Sequence, residues 1–458
     1  MGFLGEMCPC AVQGASMVGR IRRRRRPRGA FFRRGGRKDM STGAIKRHYE
    51  KVIAACCFLI LFTNVGLPST SFSVFQPYLV DLPGVGNTGG SIIISVRTFM
   101  SLIGMLVVGR YYDLLNCRIG AFLASLCVCA GFFLYSQNTG SFIGLCAGSV
   151  FTGLGYGLGG MIASTMLINR WFRSNVATVA GIAAVGSGVA AVILPNVTVA
   201  LIGTYSLSAA FLFESALALV LGVLVFLLLR NYPRDLGLEP YEAPEGKKAG
   251  KPGRARAARR NRNVPEKLAP LVLVAMTFVG CISVGGTSYL AVLFTSEGFS
   301  AEGAAALVAL CGGCLTVAKL ASGVVFDRVG TKRGSMIFFA LFIGGTLLLC
   351  LSDMGNVGLA GVGVFLYGLG LSLGTVGISV WSIELAPKGR EAKTIKNFQL
   401  CYALGGFIFT FLPGFLAEAF GTYLVTYVIL LAMIAFAAVV VVGVYLLGDR
   451  RVSDSIRS

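Results

Sequence analysis

The sequence predicts an all-α membrane protein in which twelve transmembrane helices form two homologous six-helix bundles. Three observations predict this fold. Hydrophobic residues make up 55% of the 458-residue chain and charged residues only 13%, whereas a soluble domain carries about a quarter charged residues. Twelve apolar runs are long enough to span a bilayer, which takes about 20 residues. Motifs of the first half also recur in the second half at a nearly constant offset.

The chain divides into five predicted segments. Two six-helix bundles are joined by a polar linker and flanked by a basic leader and a cytoplasmic tail. The leader is either a disordered arm or an over-long start with Met40 as the natural first residue. In chain order, the segments are residues 1–39 (leader), 40–229 (first bundle), 230–267 (linker), 268–448 (second bundle) and 449–458 (tail).

The twelve predicted helices follow the apolar runs between these boundaries. Gly66 and Pro68 predict a kink in the first, because both residues interrupt helical hydrogen bonding. The helices cover residues 52–80, 90–112, 118–137, 141–168, 175–201, 206–229, 268–294, 301–326, 334–352, 357–385, 393–417 and 422–447.

Lysine and arginine predict the orientation, because they collect in cytoplasmic loops. Every second connection between helices carries basic residues and the others carry none. Of 41 basic residues, 39 belong to the predicted cytoplasmic side or to the leader, and only Arg97 and Lys319 are placed inside the membrane. We therefore expect a multi-pass plasma-membrane protein with both termini cytoplasmic. The net charge of +21 then reflects topology, and we expect no nucleic-acid partner.

An internal repeat relates the two halves. GRYYDLLNCRIG (109–120) matches GVVFDRVGTKRG (323–334), with Asp113 and Arg118 equivalent to Asp327 and Lys332 at an offset of 214. GLGYGLG (153–159) matches GLGLSLG (368–374) at an offset of 215. Motifs in the same order at nearly one offset predict two homologous bundles in parallel, an arrangement typical of transporters.

The pattern G-x-x-x-D-x-x-x-x-R-x-G resembles the signature loop of the major facilitator superfamily. Residues 169–195 (NRWFRSNVATVAGIAAVGSGVAAVILP) resemble the helix 4–5 region of its monocarboxylate transporter and oxalate/formate antiporter branches. The resemblance implies the major facilitator fold and secondary transport by alternating access. The gating residues would be Asp113, Arg118, Asp327 and Lys332, with Asp113 pairing with Arg118 or a neighbouring helix until the transporter changes state.

Two cations inside membrane helices are the main candidates for substrate binding, because buried charge is costly and usually functional. In monocarboxylate-transporter relatives, helix 8 carries a basic residue four positions before a glycine, and Lys319 keeps that spacing to Gly323. Arg97 lies roughly 24 Å above Asp113, and Lys319 roughly 12 Å above Asp327. The two cations could hold the ends of one extended anion or act in sequence. The alternative for Arg97 is a structural ion pair with Glu214.

The remaining candidates are polar or aromatic residues within the helices. Tyr289, Trp381 and Tyr402 are further candidate substrate ligands, although packing is the commoner role of such aromatics. Glu214 and Glu384 are candidate coupling sites. Cys311 and Cys314 form a CxxC pair that we interpret as packing rather than a metal site. We expect no catalytic residues, metal or cofactor, and the protein is not predicted to be an enzyme.

Three functions follow from these residues. The first is transport of a small organic anion, a mono- or dicarboxylate, by anion exchange or proton coupling. Its partners would be that anion, protons or a counter-anion, and the lipid bilayer. The second is export of a drug or metabolite, which would favour acidic cavity residues. The third is a non-transporting sensor on the same fold.

Overall fold

The computed structural model describes residues 49–173, 176–242, 268–352, 356–386 and 391–457. Within them, twelve helices are long and apolar enough to cross a membrane, in agreement with the predicted fold. The leader and linker residues 243–267 lie outside the described residues, and the domain boundaries stay predictions. The helices are α1 (Tyr49–Val80), α2 (Gly86–Leu114), α3 (Cys117–Gln137), α4 (Phe142–Trp171), α5 (Val176–Thr204), α6 (Leu207–Leu228), α7 (Ala269–Gly286), α8 (Ala301–Val329), α9 (Thr331–Leu349), α10 (Val357–Ser382), α11 (Glu391–Phe420) and α12 (Leu424–Arg457).

The first helix of each bundle departs from α-helical geometry halfway along its length. In α1, Gly66 and Pro68, where the sequence predicts a kink, lie in a π-helical segment, Phe62–Ser71, which leads into a 3₁₀ turn at Phe72–Phe75. In α7, the equivalent π-helical segment is Cys281–Gly286, and a short helix, Leu290–Ser296, follows it. Such interruptions are frequent at functional sites.

The fourth helix of each bundle is interrupted where the repeated glycine motif ends. In α4 the break falls at Gly160, directly after GLGYGLG, and in α10 the motif GLGLSLG ends in a 3₁₀ turn, Leu371–Gly374. A Cβ atom on Gly153 would collide with the main-chain oxygen of Arg97, and one on Gly368 would meet that of Cys311. The motif therefore lets the fourth helix of each bundle touch the backbone of the second, as small residues do in membranes.

The signature loop has the same local packing in both bundles. Its final glycines, Gly120 and Gly334, each lie against an aromatic ring, Tyr112 and Phe326, from the helix before the loop. Each ring directly precedes the loop aspartate in sequence. Any side chain at either glycine would displace the ring, which gives a packing reason for the glycine that ends the motif.

The two bundles meet through two pairs of helices, α2 with α11 and α5 with α8. Because the helices run up and down, their ends form two faces. We call the end that carries Arg110, Arg118, Arg170 and Arg328 the basic face and the other end the opposite face. Apart from a bridge between Phe172 and Tyr241, no β-pairing occurs in the described ranges. This bridge holds the start of the linker against the connection between α4 and α5.

We expect Gly153→Ala to destabilise the protein by about 1–3 kcal/mol, the usual cost of overpacking a close contact. The added methyl group has to push α4 away from the backbone of α2. The measurement is the apparent melting temperature of the purified protein in detergent. Gly361→Ala in α10 is the control, because open space surrounds that position. Equal melting temperatures for the two variants would contradict the proposed packing role.

Candidate substrate cavity

A cavity of about 730 Å³ lies between the bundles, lined by α1, α2 and α4 from one side and by α7 and α11 from the other. It extends to the basic face, since Asn169 lies two residues before the end of α4 and Lys396 five residues after the start of α11. About half of its lining residues are apolar. The polar ones are Ser69, Arg97, Thr98, Ser101, Tyr156, Thr165, Asn169, Lys396, Gln399 and Tyr402.

Arg97 is the deepest charged group of this cavity. It lies 17 residues before the end of α2, or about 26 Å along the helix from the basic face. Its side chain is only 6% exposed, and its guanidinium carbon stands 4.7 Å from the ring centroid of Phe72. Among the described residues, its Nη1 atom has no hydrogen-bond partner. Arg97 therefore presents an uncompensated positive charge at the end of the cavity.

The alternative prediction of an ion pair between Arg97 and Glu214 is wrong for this structure. Glu214 Oε1 accepts hydrogen bonds from the hydroxyl groups of Ser71 and Thr198, the latter at 3.0 Å. Glu214 Oε2 is buried without a partner in the described part of the chain. Arg97 and Glu214 lie at a similar depth in α2 and α6, but their side chains point towards different neighbouring helices. The two charges therefore do not meet.

The wall near Arg97 carries phenol groups from both bundles. Tyr156 on α4 and Tyr402 on α11 line the cavity. Tyr402 was predicted as a substrate ligand. Tyr156 was missed, although it stands inside the GLGYGLG motif, because we interpreted that motif only as evidence of a repeat.

Lys396 forms the second positive charge of the cavity, nearer its mouth. It lies about 8 Å along α11 from the start of that helix, on the same side as Gln399. Its place at the basic end of its helix, where lysine is common, gave no sign of a cavity residue. Among the described residues that line this cavity there is no aspartate or glutamate.

Lys319 lies on α8 and does not line this cavity. It is half-buried, and no ion pair or hydrogen bond links it to another described residue. Near it, α8 packs closely on α5, where Gly312 lies against Ala191 and Gly188 against Thr316. Lys319 follows Thr316 by three residues, so it continues this side of α8 towards the basic face. Its predicted substrate role stays a prediction.

Tyr289 belongs to a contact that closes the opposite face. Its hydroxyl donates to the carbonyl of Thr410 (2.5 Å) and is hydrogen-bonded to the hydroxyl of Ser91 on α2 (2.7 Å). The Ser91 hydroxyl also accepts from the backbone N–H of Gly414 on α11 (2.7 Å). Tyr289 is fully buried, so this structure places it in the closure rather than on the cavity wall.

Further polar contacts join the bundles around this point. The Tyr423 hydroxyl donates to the side chain of Asn87 (2.9 Å), and the Thr88 hydroxyl donates to Glu418. A Cβ atom on Gly414 would collide with the main-chain oxygen of Asn87. The opposite face is therefore closed while the cavity reaches the basic face.

Trp381 packs inside the second bundle, away from the cavity. It is fully buried, its indole N–H donates to the hydroxyl of Ser335 (2.8 Å), and its ring stacks on Phe339 with centroids 5.5 Å apart. These contacts join α10 to α9. This structure thus gives Trp381 a packing role and no contact with the cavity.

The predicted gating residues lie at the basic face, close to the ends of their helices. Arg118 Nε donates to the carbonyl of Phe226 (2.6 Å), and its guanidinium stands 4.3 Å from the Phe226 ring centroid. Arg118 therefore ties α3 to α6. In the described ranges it forms no ion pair with Asp113. Asp327 and Lys332 hold the equivalent places in the second bundle, and the gating role of all four stays a prediction.

Glu384, the second coupling candidate, joins three helices of the second bundle at the basic face. It accepts hydrogen bonds from the hydroxyls of Thr331 (2.5 Å) and Tyr445 (3.1 Å). Cys311 and Cys314 are buried where α8 meets α10, close to Gly368. Within the described residues, no cluster of three His, Cys, Asp or Glu side chains could hold a metal ion.

Comparison with known proteins agrees with this architecture. A sequence model of the Major Facilitator Superfamily matches residues 54–410. No curated protein sequence matches the chain. These findings reach the superfamily, and the two branches discussed above stay predictions.

Several solved transporters have a similar fold. A D-xylose-proton symporter is 15% identical with a TM-score of 0.65, over 86% of this chain and 97% of that one. A POT family transporter in complex with 5-aminolevulinic acid is 16% identical with a TM-score of 0.64, over 86% and 96%. The nucleoside transporter NupG is 15% identical with a TM-score of 0.62, over 87% and 99%. At these identities, the likeness shows the fold alone.

We expect Tyr289→Phe to favour opening of the opposite face. The change removes the hydrogen bond to Ser91, which joins the two bundles, and a bond of this kind contributes about 0.5–1.5 kcal/mol, or roughly 2- to 13-fold in an equilibrium. The measurement is the labelling rate of a cysteine introduced at Ser95, which is buried below the closure. Tyr205→Phe, at an exposed position, is the control. An unchanged labelling rate together with weaker substrate binding would instead make Tyr289 a ligand.

Proposed function

The chain belongs to the Major Facilitator Superfamily, and from this premise we propose that it transports a small organic anion by alternating access. The anion is a mono- or dicarboxylate, and it moves by exchange with a second anion or together with protons. The proposal places the protein in the plasma membrane with both termini in the cytoplasm. The basic face is then cytoplasmic, and the cavity is open to the inside.

The observation that carries this proposal is the charge of the cavity. Two cations, Arg97 and Lys396, line it, and among the described residues no carboxylate does. A unit charge 4 Å from an anion contributes about 4 kcal/mol of attraction at an effective dielectric constant of 20. Such a wall favours an anion over a cation. The same feature disfavours export of a cationic drug, for which an acidic wall would be expected.

The fold by itself does not select the substrate. The similar structures include carriers of D-xylose and of nucleosides, and a transporter that binds 5-aminolevulinic acid, a carboxylate-bearing molecule. The choice of an organic anion therefore rests on the cavity residues of this chain.

Each part of the cavity has a proposed role. Arg97 binds the carboxylate at the closed end, where Tyr156 and Tyr402 offer hydroxyl groups as further donors. Lys396 attracts the anion at the mouth or holds the second carboxylate of a longer substrate. We propose that Lys319 joins the path when α5 and α8 separate. Asp113, Arg118, Asp327 and Lys332 then gate the basic face.

The experiment that tests the function is uptake into proteoliposomes of labelled formate, lactate, oxalate and succinate. Each is measured with and without a pH gradient, and with and without the same anion preloaded inside. We expect saturable uptake of at least one of the four anions. Uptake of none of them above empty liposomes would contradict the proposal.

We expect Arg97→Gln to weaken binding of the transported anion by roughly 10- to 150-fold, because losing a charge-assisted hydrogen bond costs about 1.5–3 kcal/mol. The measurement is the concentration dependence of uptake at matched protein abundance. Lys51→Gln is the control, since it removes an exposed cation outside the cavity. An affinity for Arg97→Gln equal to that of the control would remove Arg97 from the substrate site.

Lys319→Gln tests the second membrane cation separately. We expect normal membrane abundance with transport largely lost, and partial activity for Lys319→Arg, which retains the charge. A lysine at the centre of a membrane helix costs about 2.5–3.5 kcal/mol on insertion scales, so a lysine without function should be replaceable. Near-normal uptake by the Gln variant would show that Lys319 is structural.

A further inference from the structure

Glu214 is a buried carboxyl group whose structural neighbourhood suggests more than packing. It lies on α6 with none of its surface exposed. Two hydroxyl groups, from Ser71 on α1 and Thr198 on α5, donate to the same oxygen, Oε1. The other oxygen, Oε2, has no hydrogen-bond partner in the described part of the chain. Three helices of the first bundle thus meet at one carboxyl group, and one oxygen of that group has no hydrogen-bond partner among the described residues.

The cations on the helices packed against α6 lie far from this carboxyl group: Arg118 on α3 bonds to Phe226, twelve residues further along α6, and Lys51 lies near the start of α1. These helices are α1, α3 and α5. No residue of α5 is titratable, and Glu214 is the only titratable residue of α6. On α3, Cys129 bonds to Ser215 (3.4 Å) and Tyr135 bonds to Ser149 (2.8 Å). On α1, the titratable residues stand at least seven positions from Ser71, and they are Tyr49, Glu50, Lys51, Cys56, Cys57 and Tyr78.

The protonated form of Glu214 fits this neighbourhood best. A buried carboxylate without a cation costs several kcal/mol, and a proton on Oε2 removes that cost. A metal cation is a poorer fit, because the oxygen atoms are hydrogen-bonded to one another. The hydroxyl oxygen of Thr198 lies 3.0 Å from Glu214 Oε1 and 3.5 Å from the hydroxyl oxygen of Ser71. They do not surround an empty space.

Arg97 and Glu214 are connected through two successive residues of α1. The guanidinium of Arg97 stands over the ring of Phe72, and the hydroxyl of Ser71 bonds to Glu214. These residues stand where the π-helical segment of α1 gives way to its 3₁₀ turn. Ser69, in the same segment, lines the cavity. A movement of this part of α1 therefore reaches both charged groups.

We infer that Glu214 is the proton site of the transporter. Its negative charge and that of the anion bound to Arg97 alternate. Glu214 is protonated while the substrate anion neutralises Arg97, and its carboxylate replaces the anion as counter-charge after the substrate leaves. For a monoanion, the one proton on Glu214 accompanies the one negative charge of the substrate, so net transport is electroneutral. The proton passes from water on one side to Oε2 and then to water on the other side. The inference rests on the proposed anion transport.

Two consequences of this site can be measured. As the pH falls, more Glu214 is protonated and the competing counter-charge disappears, so the anion binds Arg97 more tightly. A gradient with the acidic side outside then drives accumulation of a monoanion, by about tenfold for each pH unit. Because the proton cancels the charge of the anion, a membrane potential imposed with potassium and valinomycin has no effect.

The main test uses Glu214→Gln in proteoliposomes, with the labelled monocarboxylate, formate or lactate, that the wild-type protein takes up. Glutamine resembles the protonated acid but cannot release a proton. We expect counterflow against preloaded anion to continue, accumulation driven by the pH gradient to disappear, and the apparent affinity to become independent of pH. Glu239→Gln, which changes an exposed carboxylate of the linker, is the matched control.

A second measurement does not depend on transport. Infrared spectra of the purified protein without substrate, recorded as the pH is lowered, should gain a carboxylic-acid carbonyl band that Glu214→Gln removes and Glu239→Gln retains.

Three results would overturn the inference. The first is accumulation by Glu214→Gln equal to that of the wild-type protein. The second is wild-type uptake that a pH gradient does not drive. The third is an infrared spectrum that Glu214→Gln leaves unchanged. Failure of the wild-type protein to take up any of the four anions would contradict the proposed function instead, and the infrared result would still decide whether Glu214 carries a proton.

Discussion

The cost of an arginine charge inside a membrane bundle is the constraint on which the centre of this structure depends. Arg97 has the ring of Phe72 on one side and the cavity on the other, and a desolvated cation over an aromatic ring gains only a few kcal/mol, about 2 or more. This energy is too small to replace the hydration free energy that the Arg97 guanidinium loses on burial. The glycine contact between α4 and the backbone of Arg97 keeps the residue at this depth. In the proposed mechanism, a mobile anion, or a carboxylate that alternates with it, completes the balance of charge.

The helix interruptions place the groups that this balance requires. If α1 were a regular α-helix, its side chains would form one continuous stripe facing the neighbouring helices. The π-helical segment and the following 3₁₀ turn instead let consecutive residues serve different sites, with Ser69 on the cavity, Ser71 at Glu214 and Phe72 at Arg97. The interruption of α7 likewise places Tyr289 at the closure of the opposite face. Irregular backbone is tolerated at this depth only where other groups form hydrogen bonds with its N–H and C=O groups.

Hydrophobic runs and the repeat predict the number, order and approximate ends of the helices, because those features depend on composition and length. They also identify Arg97 and Lys319 as unusual, because each is a cation placed inside the membrane. The direction in which a side chain leaves its helix is harder to predict, since it depends on tilt and on neighbouring helices. Counting residues placed Arg97 and Glu214 at one depth, yet the two point to different partners. Tyr289 and Trp381 had the right chemistry for ligands but pack elsewhere, and Lys396 resembled an ordinary helix end.

The closure of the opposite face consists of hydrogen bonds, and in the described ranges no ion pair joins the bundles there. Ser91, Tyr289, Asn87 and Tyr423 carry no charge, and Glu418 meets the neutral hydroxyl of Thr88. Dissolved salt screens the attraction between two charges but has little to screen in contacts of this kind. A carrier closed in this way would keep its resting conformation in dilute and in saline surroundings alike, and changes in external salinity would leave its opening rate nearly constant.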